Sequence, residues 1–236
     1  MYQLPELMSQ ATHSAITAWL WGLNIIILLT LFITLFSRHI AAAFPFFTNL
    51  VGFYLIRSVL LYVTFDHMDV EEYSRLYDFF LLLDDLVLIG LTAELTYSLV
   101  LQAGGLNASR FMYISGGILL ASLGTWVLLR LMPQASIRLD RSQMFFSIVG
   151  VLLFLASFRS SNYLLRTIAQ GWGMLSIISL AANIGRVVTT AGDHPRRYAA
   201  WSYALAGGYL VTAVFWLVTL RAPVKRTSPA PLKVPD

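Results

Sequence analysis

Residues 15–36 read AITAWLWGLNIIILLTLFITLF, twenty-two positions without one charged side chain. A helix needs about 20 mostly apolar residues to cross the hydrocarbon core of a bilayer, and this stretch supplies them before Ser37-Arg38-His39 ends it. Six further apolar stretches follow, at 44–65, 79–101, 111–132, 144–158, 167–188 and 203–220. Pro45 falls in the first turn of the second, where a missing N–H costs nothing. Residues 66–78 form a polar loop containing Asp66, Asp69, Glu71 and Glu72. Ala103-Gly104-Gly105-Leu106-Asn107 is a turn, Pro133 stops the fourth stretch, and Gly192-Asp193-His194-Pro195 is a loop. The stretch at 144–158 is short and extends into its loop or tilts little.

The expected fold is therefore all-α, a polytopic transmembrane bundle of about seven spans over 15–220. A short N-terminal segment, 1–14, precedes it, and a basic, Pro-rich tail, 221–236, follows. Composition agrees. Hydrophobic residues make up 58% of the 236, charged residues 12%, and the mean hydropathy is +0.71. A soluble domain carries about 25% charged residues, so most of this surface is wetted by lipid. No segment alternates as a membrane β-barrel does, and no loop is long enough to bury a soluble core. Residues 1–14 hold no Lys or Arg and the first apolar run exceeds a signal peptide's, which predicts a retained first helix.

Lys and Arg set the expected orientation. None precedes the first span and Arg38 follows it. The N-terminus is then outside, and the tail with Arg221, Lys225, Arg226 and Lys233 is cytoplasmic. Arg110, Arg159 and Arg166 also fall inside, while Arg75, Arg138, Arg141, Arg196 and Arg197 fall outside.

Ionisable residues within spans cost about 2.5–3.5 kcal/mol each at mid-helix and need a reason. Four stand out: Arg57 in the second span, and Asp84, Asp85 and Glu94 in the third. Helical rise puts Arg57 roughly 12 Å, and Asp84 and Asp85 roughly 8–9 Å, below the outer surface. Arg57 can then reach a carboxylate of the antiparallel neighbour. Asn24, Asn183 and Tyr209 fall in the same outer half, and together these residues predict a buried polar cluster. Asp84 and Glu94 project about 80° apart and are expected to border one cavity, with Asp85 facing another helix or the loop. Glu94 lacks a basic partner at its depth. It is expected to be protonated, capped by Ser98 or Tyr97, or in water. The cluster reads either as one Arg–Asp pair fixing helix docking or as a site responsive to a ligand, ion or proton. Ser115-Gly116-Gly117 with Ala121, and Ala204 with Gly207-Gly208, have helix-packing spacing.

Several classes are excluded or disfavoured. Without cysteine there is no disulfide, thiolate metal site, iron–sulfur cluster or palmitoylation. The only lysines, Lys225 and Lys233, lie in the tail, so no retinal Schiff base forms in a span. The histidines His13, His39, His67 and His194 lie in loops or at helix ends, which leaves no haem ligation. H-E-x-x-H, G-x-S-x-G and P-loop motifs are missing. An intramembrane aspartyl dyad would need acids on two helices, and all three are on one. No metal, no cofactor beyond a bound lipid, and no enzymatic activity are expected. The scattered bases offer no nucleic-acid site. The expected partners are membrane lipids and other membrane subunits. No inverted repeat with paired broken helices marks a secondary transporter.

Phe44-Pro45-Phe46-Phe47, Arg57, and Tyr77-Asp78-Phe79-Phe80 leading to Glu94 resemble a loosely defined group of seven-helix membrane proteins of acidobacterial genomes. The resemblance implies a bacterial inner-membrane location and seven spans, and carries over no activity and no functional residue. A sensor or receptor-like module leads the functional expectations. A scaffold or accessory subunit of a membrane complex, and a proton- or cation-linked transporter or channel, stand as alternatives.

Overall fold

The computed structural model describes residues 15–64, 67–102, 104–105, 108–131, 138–189 and 195–222. The segment 1–14, the loop at 192–194 and the tail from 223 lie outside them. The described residues form eight helices and no strand: α1 Ala15–Ser37, α2 Ile40–Ala43, α3 Pro45–Thr64, α4 Val70–Gln102, α5 Ala108–Leu131, α6 Arg138–Ser157, α7 Tyr163–Thr189 and α8 Pro195–Arg221.

Local chemistry explains the boundaries. α1 gives way where His39 takes the left-handed conformation, φ 57°. A single turn, α2, follows. Phe44, at φ −135° and ψ 71°, stays out of the helical region that a following proline disfavours, and Pro45 is the first residue of α3. α4 begins nine residues earlier than its apolar stretch, so the expected polar loop at 66–78 is mostly helix. The cause is a cap. The Asp69 carboxylate accepts the Glu72 amide at 2.8 Å, and Glu71 and Glu72 place negative charge on the helix N-terminus. At the other end of α4, the Gly105 amide donates to the Val100 carbonyl at 3.1 Å and the Gly104 amide to Leu101 at 2.9 Å. Gly104 and Gly105 have φ of 92° and 89°, the left-handed termination only glycine adopts freely. α6 extends six residues before Met144, and α7 starts at an Asn162 cap that accepts the Leu164 and Leu165 amides.

Four helices, α1, α3, α7 and α8, are long and apolar enough to cross a membrane. α4 is long enough, but its apolar stretch carries three carboxylates. α5 and α6 have shorter apolar portions, Ile114–Val127 and Ser142–Ser157.

Six helices close a ring in the order α1, α3, α4, α6, α7, α8 and back to α1, while α5 packs outside against α6. Inside, Leu31, Leu35, Leu50, Leu91, Leu95 and Leu165 are fully buried. Outside, Ile26, Ile33, Leu82, Leu86, Leu119 and Val218 are all more than half exposed. An apolar mantle of this extent around an apolar core is the surface of a protein solvated by lipid. Helices in lipid gain little from hydrophobic burial, so close packing carries their association. The glycines show it: an added Cβ at Gly90 would strike the Phe46 ring, at Gly150 Ser176, and at Gly171 Trp216. Of the spacings read from sequence as packing faces, Gly208 meets Ile178, but Gly116 and Gly207 face open space.

Candidate functional site

α3 and α4 run antiparallel, and two polar contacts ten residues apart on each helix fix their register. The first is Arg57 with Asp84. The guanidinium Nη1 lies 3.7 Å from the carboxylate Oδ2, with the side chains 16% and 6% exposed. That separation exceeds the roughly 2.7–2.9 Å of a charge-assisted hydrogen bond, so the pair is loose. The Tyr77 ring covers the guanidinium carbon at 5.2 Å, two helical turns before Asp84 on the same helix. The Tyr54 hydroxyl also reaches the Asp84 carboxylate, whose other oxygen, Oδ1, is buried without a hydrogen-bond partner among the described residues.

The second contact lies about 15 Å further along the axis. The Phe46 and Phe47 amides donate to Glu94 Oε1 and Oε2 at 3.0 and 2.9 Å. These are donors of the first turn of α3, which have no partner within their own helix. Both oxygens accepting, at the positive end of a helix dipole, is the arrangement of a carboxylate. Of the expected partners neither Ser98 nor Tyr97 serves it: two main-chain amides take the place of a hydroxyl cap. Glu94 also does not share a cavity with Asp84. Phe46 seats on Gly90, one turn before Glu94, and brings the start of α3 over that carboxylate.

The ring of helices encloses a cavity of about 430 Å³. Asn24, Arg57, Asp84 and Tyr209 line it. Asn24 donates to the Ser58 hydroxyl at 3.4 Å, and the Tyr209 ring meets Tyr54 edge-on at 5.6 Å. Asp85 turns away toward Ser142 of α6. Asn183 is buried outside the cavity wall. Asn24, Arg57, Asp84 and Tyr209 are together; Asp85 faces another helix, and Glu94 and Asn183 lie apart.

The wall also contains residues not expected in the cluster: Tyr54, Tyr77, Trp172, Thr212 and Arg186. Arg186 sits three residues from the end of α7, close enough to the span's edge to pass as an interfacial base. Tyr54 and Thr212 had one usable signal: each shares a helix face with a singled-out residue, Tyr54 three before Arg57 and Thr212 three after Tyr209.

The cavity has a direction. At one end Leu20 and Tyr203 are 40% and 55% exposed; at the other Trp172 and Trp216 are each 3% exposed. Arg186 and Trp172, fourteen residues apart on α7, set its length at about 21 Å. Phe47 stacks edge-on against Trp216 at 4.9 Å and closes the floor. Among the described residues no cluster of three or more His, Asp or Glu could hold a metal ion. The cavity thus offers a mouth, a loose ion pair with one unsatisfied oxygen at mid-depth, and an aromatic floor. That is a binding geometry: mostly apolar walls, with few polar groups to fix orientation.

No protein-family model, curated protein or solved structure matches the chain.

Proposed function

We propose that the chain is a seven-span integral membrane protein of the bacterial inner membrane that acts as a non-enzymatic sensor, receiving a small ligand in its cavity. The observation that carries this reading is the Asp84 oxygen buried and unpartnered in the cavity wall. Leaving a buried acceptor unsatisfied costs roughly 1–3 kcal/mol, and a ligand that donates to it recovers that energy. Six helices line the cavity, so a bound molecule touches most of the bundle at once. Changing the Arg57–Asp84 pair shifts how α3 and α4 dock, which is the response a partner protein would read.

The mouth faces outward in this reading. The ends of α1, α4, α6 and α8 and the starts of α3 and α7 share one face. Arg38 donates from the end of α1 to the Ala222 carbonyl beyond α8 at 3.1 Å. The Ser160 hydroxyl joins the α6–α7 turn to Gln102 of α4 at 2.6 Å, and Tyr163 of α7 reaches the Thr219 carbonyl of α8 at 2.9 Å. Arg38, Arg159, Arg166 and Arg221 gather there, which supports a cytoplasmic assignment for this face. The cavity opens at the opposite one.

Gentle affinity purification from native membranes, with mass spectrometry of proteins and small molecules, tests the proposal. The expected result is a chain carrying a bound small molecule. A stoichiometric membrane-protein partner and no small molecule would replace the sensor reading with an accessory subunit.

A further inference from the structure

The polar groups along the cavity identify the chemistry of what fills it. Asp84 is only 4% exposed and lines the cavity; the Tyr54 hydroxyl reaches its carboxylate, while Oδ1 completes no hydrogen bond among the described residues. Deeper by about two turns, Thr212 is 1% exposed and its hydroxyl is also without a partner among the described residues. Ser176, opposite Thr212 on α7, lacks one as well, but its oxygen is pressed against Gly150. Below these groups the wall becomes apolar and aromatic, formed by Trp172, Ala213 and Trp216.

Three head groups can be weighed against that wall. A carboxylate has no proton to give Asp84 Oδ1 and meets a like charge there. An ammonium has the proton, but it would bring a second cation beside Arg57 into a low-dielectric space. A hydroxyl donates to Oδ1, accepts from a neighbouring donor and brings no net charge into the low-dielectric space. Resting on the ligand-binding reading of the cavity, we infer that its occupant is an uncharged, membrane-soluble alcohol. Its hydroxyl meets Asp84, and its hydrocarbon body reaches past Thr212 to the Trp172–Trp216 floor. The ligand is thus drawn from the class of lipid-derived or isoprenoid alcohols.

Three probes sharing one hydrocarbon chain separate the alternatives: farnesol, farnesylamine and farnesoic acid. Each is titrated into the full chain in phosphatidylcholine nanodiscs and read by native mass spectrometry. Farnesol should bind saturably, one per chain, at least about tenfold more tightly than the amine or the acid. Asp84→Leu should weaken it about tenfold or more, the cost of a hydrogen bond to a charged group. Asp84→Asn, which keeps shape and an acceptor but removes the charge, should weaken it severalfold and serves alone if Asp84→Leu does not fold. Thr212→Val, which puts a methyl where the hydrocarbon body passes, should leave binding unchanged or tighter. Tighter binding of the amine or acid, with the same dependence on Asp84, overturns the alcohol and leaves a ligand-binding cavity. Farnesol binding indifferent to both Asp84 substitutions, or weakened by Thr212→Val, overturns the placement of its hydroxyl. Saturable binding by none of the three overturns the inference and counts against the cavity reading itself.

Discussion

Arg57 and Asp84 illustrate how far single residues can be read from a chain of this kind. Depth followed from counting rise along two helices joined by a short connection, and antiparallel register then brought the cation and the acid together. Glu94 resisted the same treatment because its partners are main-chain amides, which a survey of side chains overlooks. The sign was present nonetheless: the α3 N-terminus needs acceptors, and the register of Arg57 with Asp84 places Phe47 beside Glu94. Two predictions follow at this scale. Glu94→Ala should destabilise the protein by about 1–3 kcal/mol in denaturant titration of mixed micelles, since two first-turn amides lose a charged acceptor. Glu94→Gln, which keeps an acceptor, should cost less. Arg57→Leu should cost about 3–5 kcal/mol by stranding the Asp84 carboxylate, and adding Asp84→Leu should restore much of that loss. Equal, additive effects of the two substitutions would show that the side chains do not interact.

At the scale of the helix, hydropathy located the apolar stretches but not where the helices begin. α4 was expected from 79 because apolar residues start there, while its cap lies at Asp69. The Asp-Val-Glu-Glu sequence at 69–72 is a capping signal that polar composition disguised as loop. Asp69→Ala should therefore cost about 1 kcal/mol and increase amide exchange across 70–73. The small-residue patterns were readable only in part, because spacing does not reveal which glycine faces a neighbour. Gly171 carries the Trp216 ring, whose indole N–H reaches the Ile168 carbonyl at 3.4 Å. Gly171→Val should push that ring aside, destabilise the α7–α8 pair by about 1–3 kcal/mol, and alter tryptophan emission. An unchanged spectrum and stability would place Trp216 elsewhere.

For the whole molecule, an all-helical, apolar architecture was legible in composition alone, because 12% charged residues cannot cover a soluble surface. The closed ring with α5 outside was not, since the order of helices around an axis depends on packing between segments distant in sequence. The cavity was hidden for the same reason: its wall draws single residues from six helices. That arrangement joins the three strands of the account, namely membrane insertion, an outward mouth and a space inside. The cysteine-free sequence permits one measurement that tests them together. Ser179 lines the cavity, Gly207 also lines it with open space where a Cβ would project, and Leu119 faces outward at 68% exposure. Single cysteines at Ser179 and Leu119 are exposed to a small sulfonated thiosulfonate that does not cross membranes, in right-side-out and inverted vesicles. The account predicts that Ser179→Cys reacts in right-side-out vesicles only and is protected by Gly207→Trp, while Leu119→Cys, held in lipid, does not react. Labelling of Ser179→Cys in inverted vesicles alone, or no labelling from either side, would contradict it.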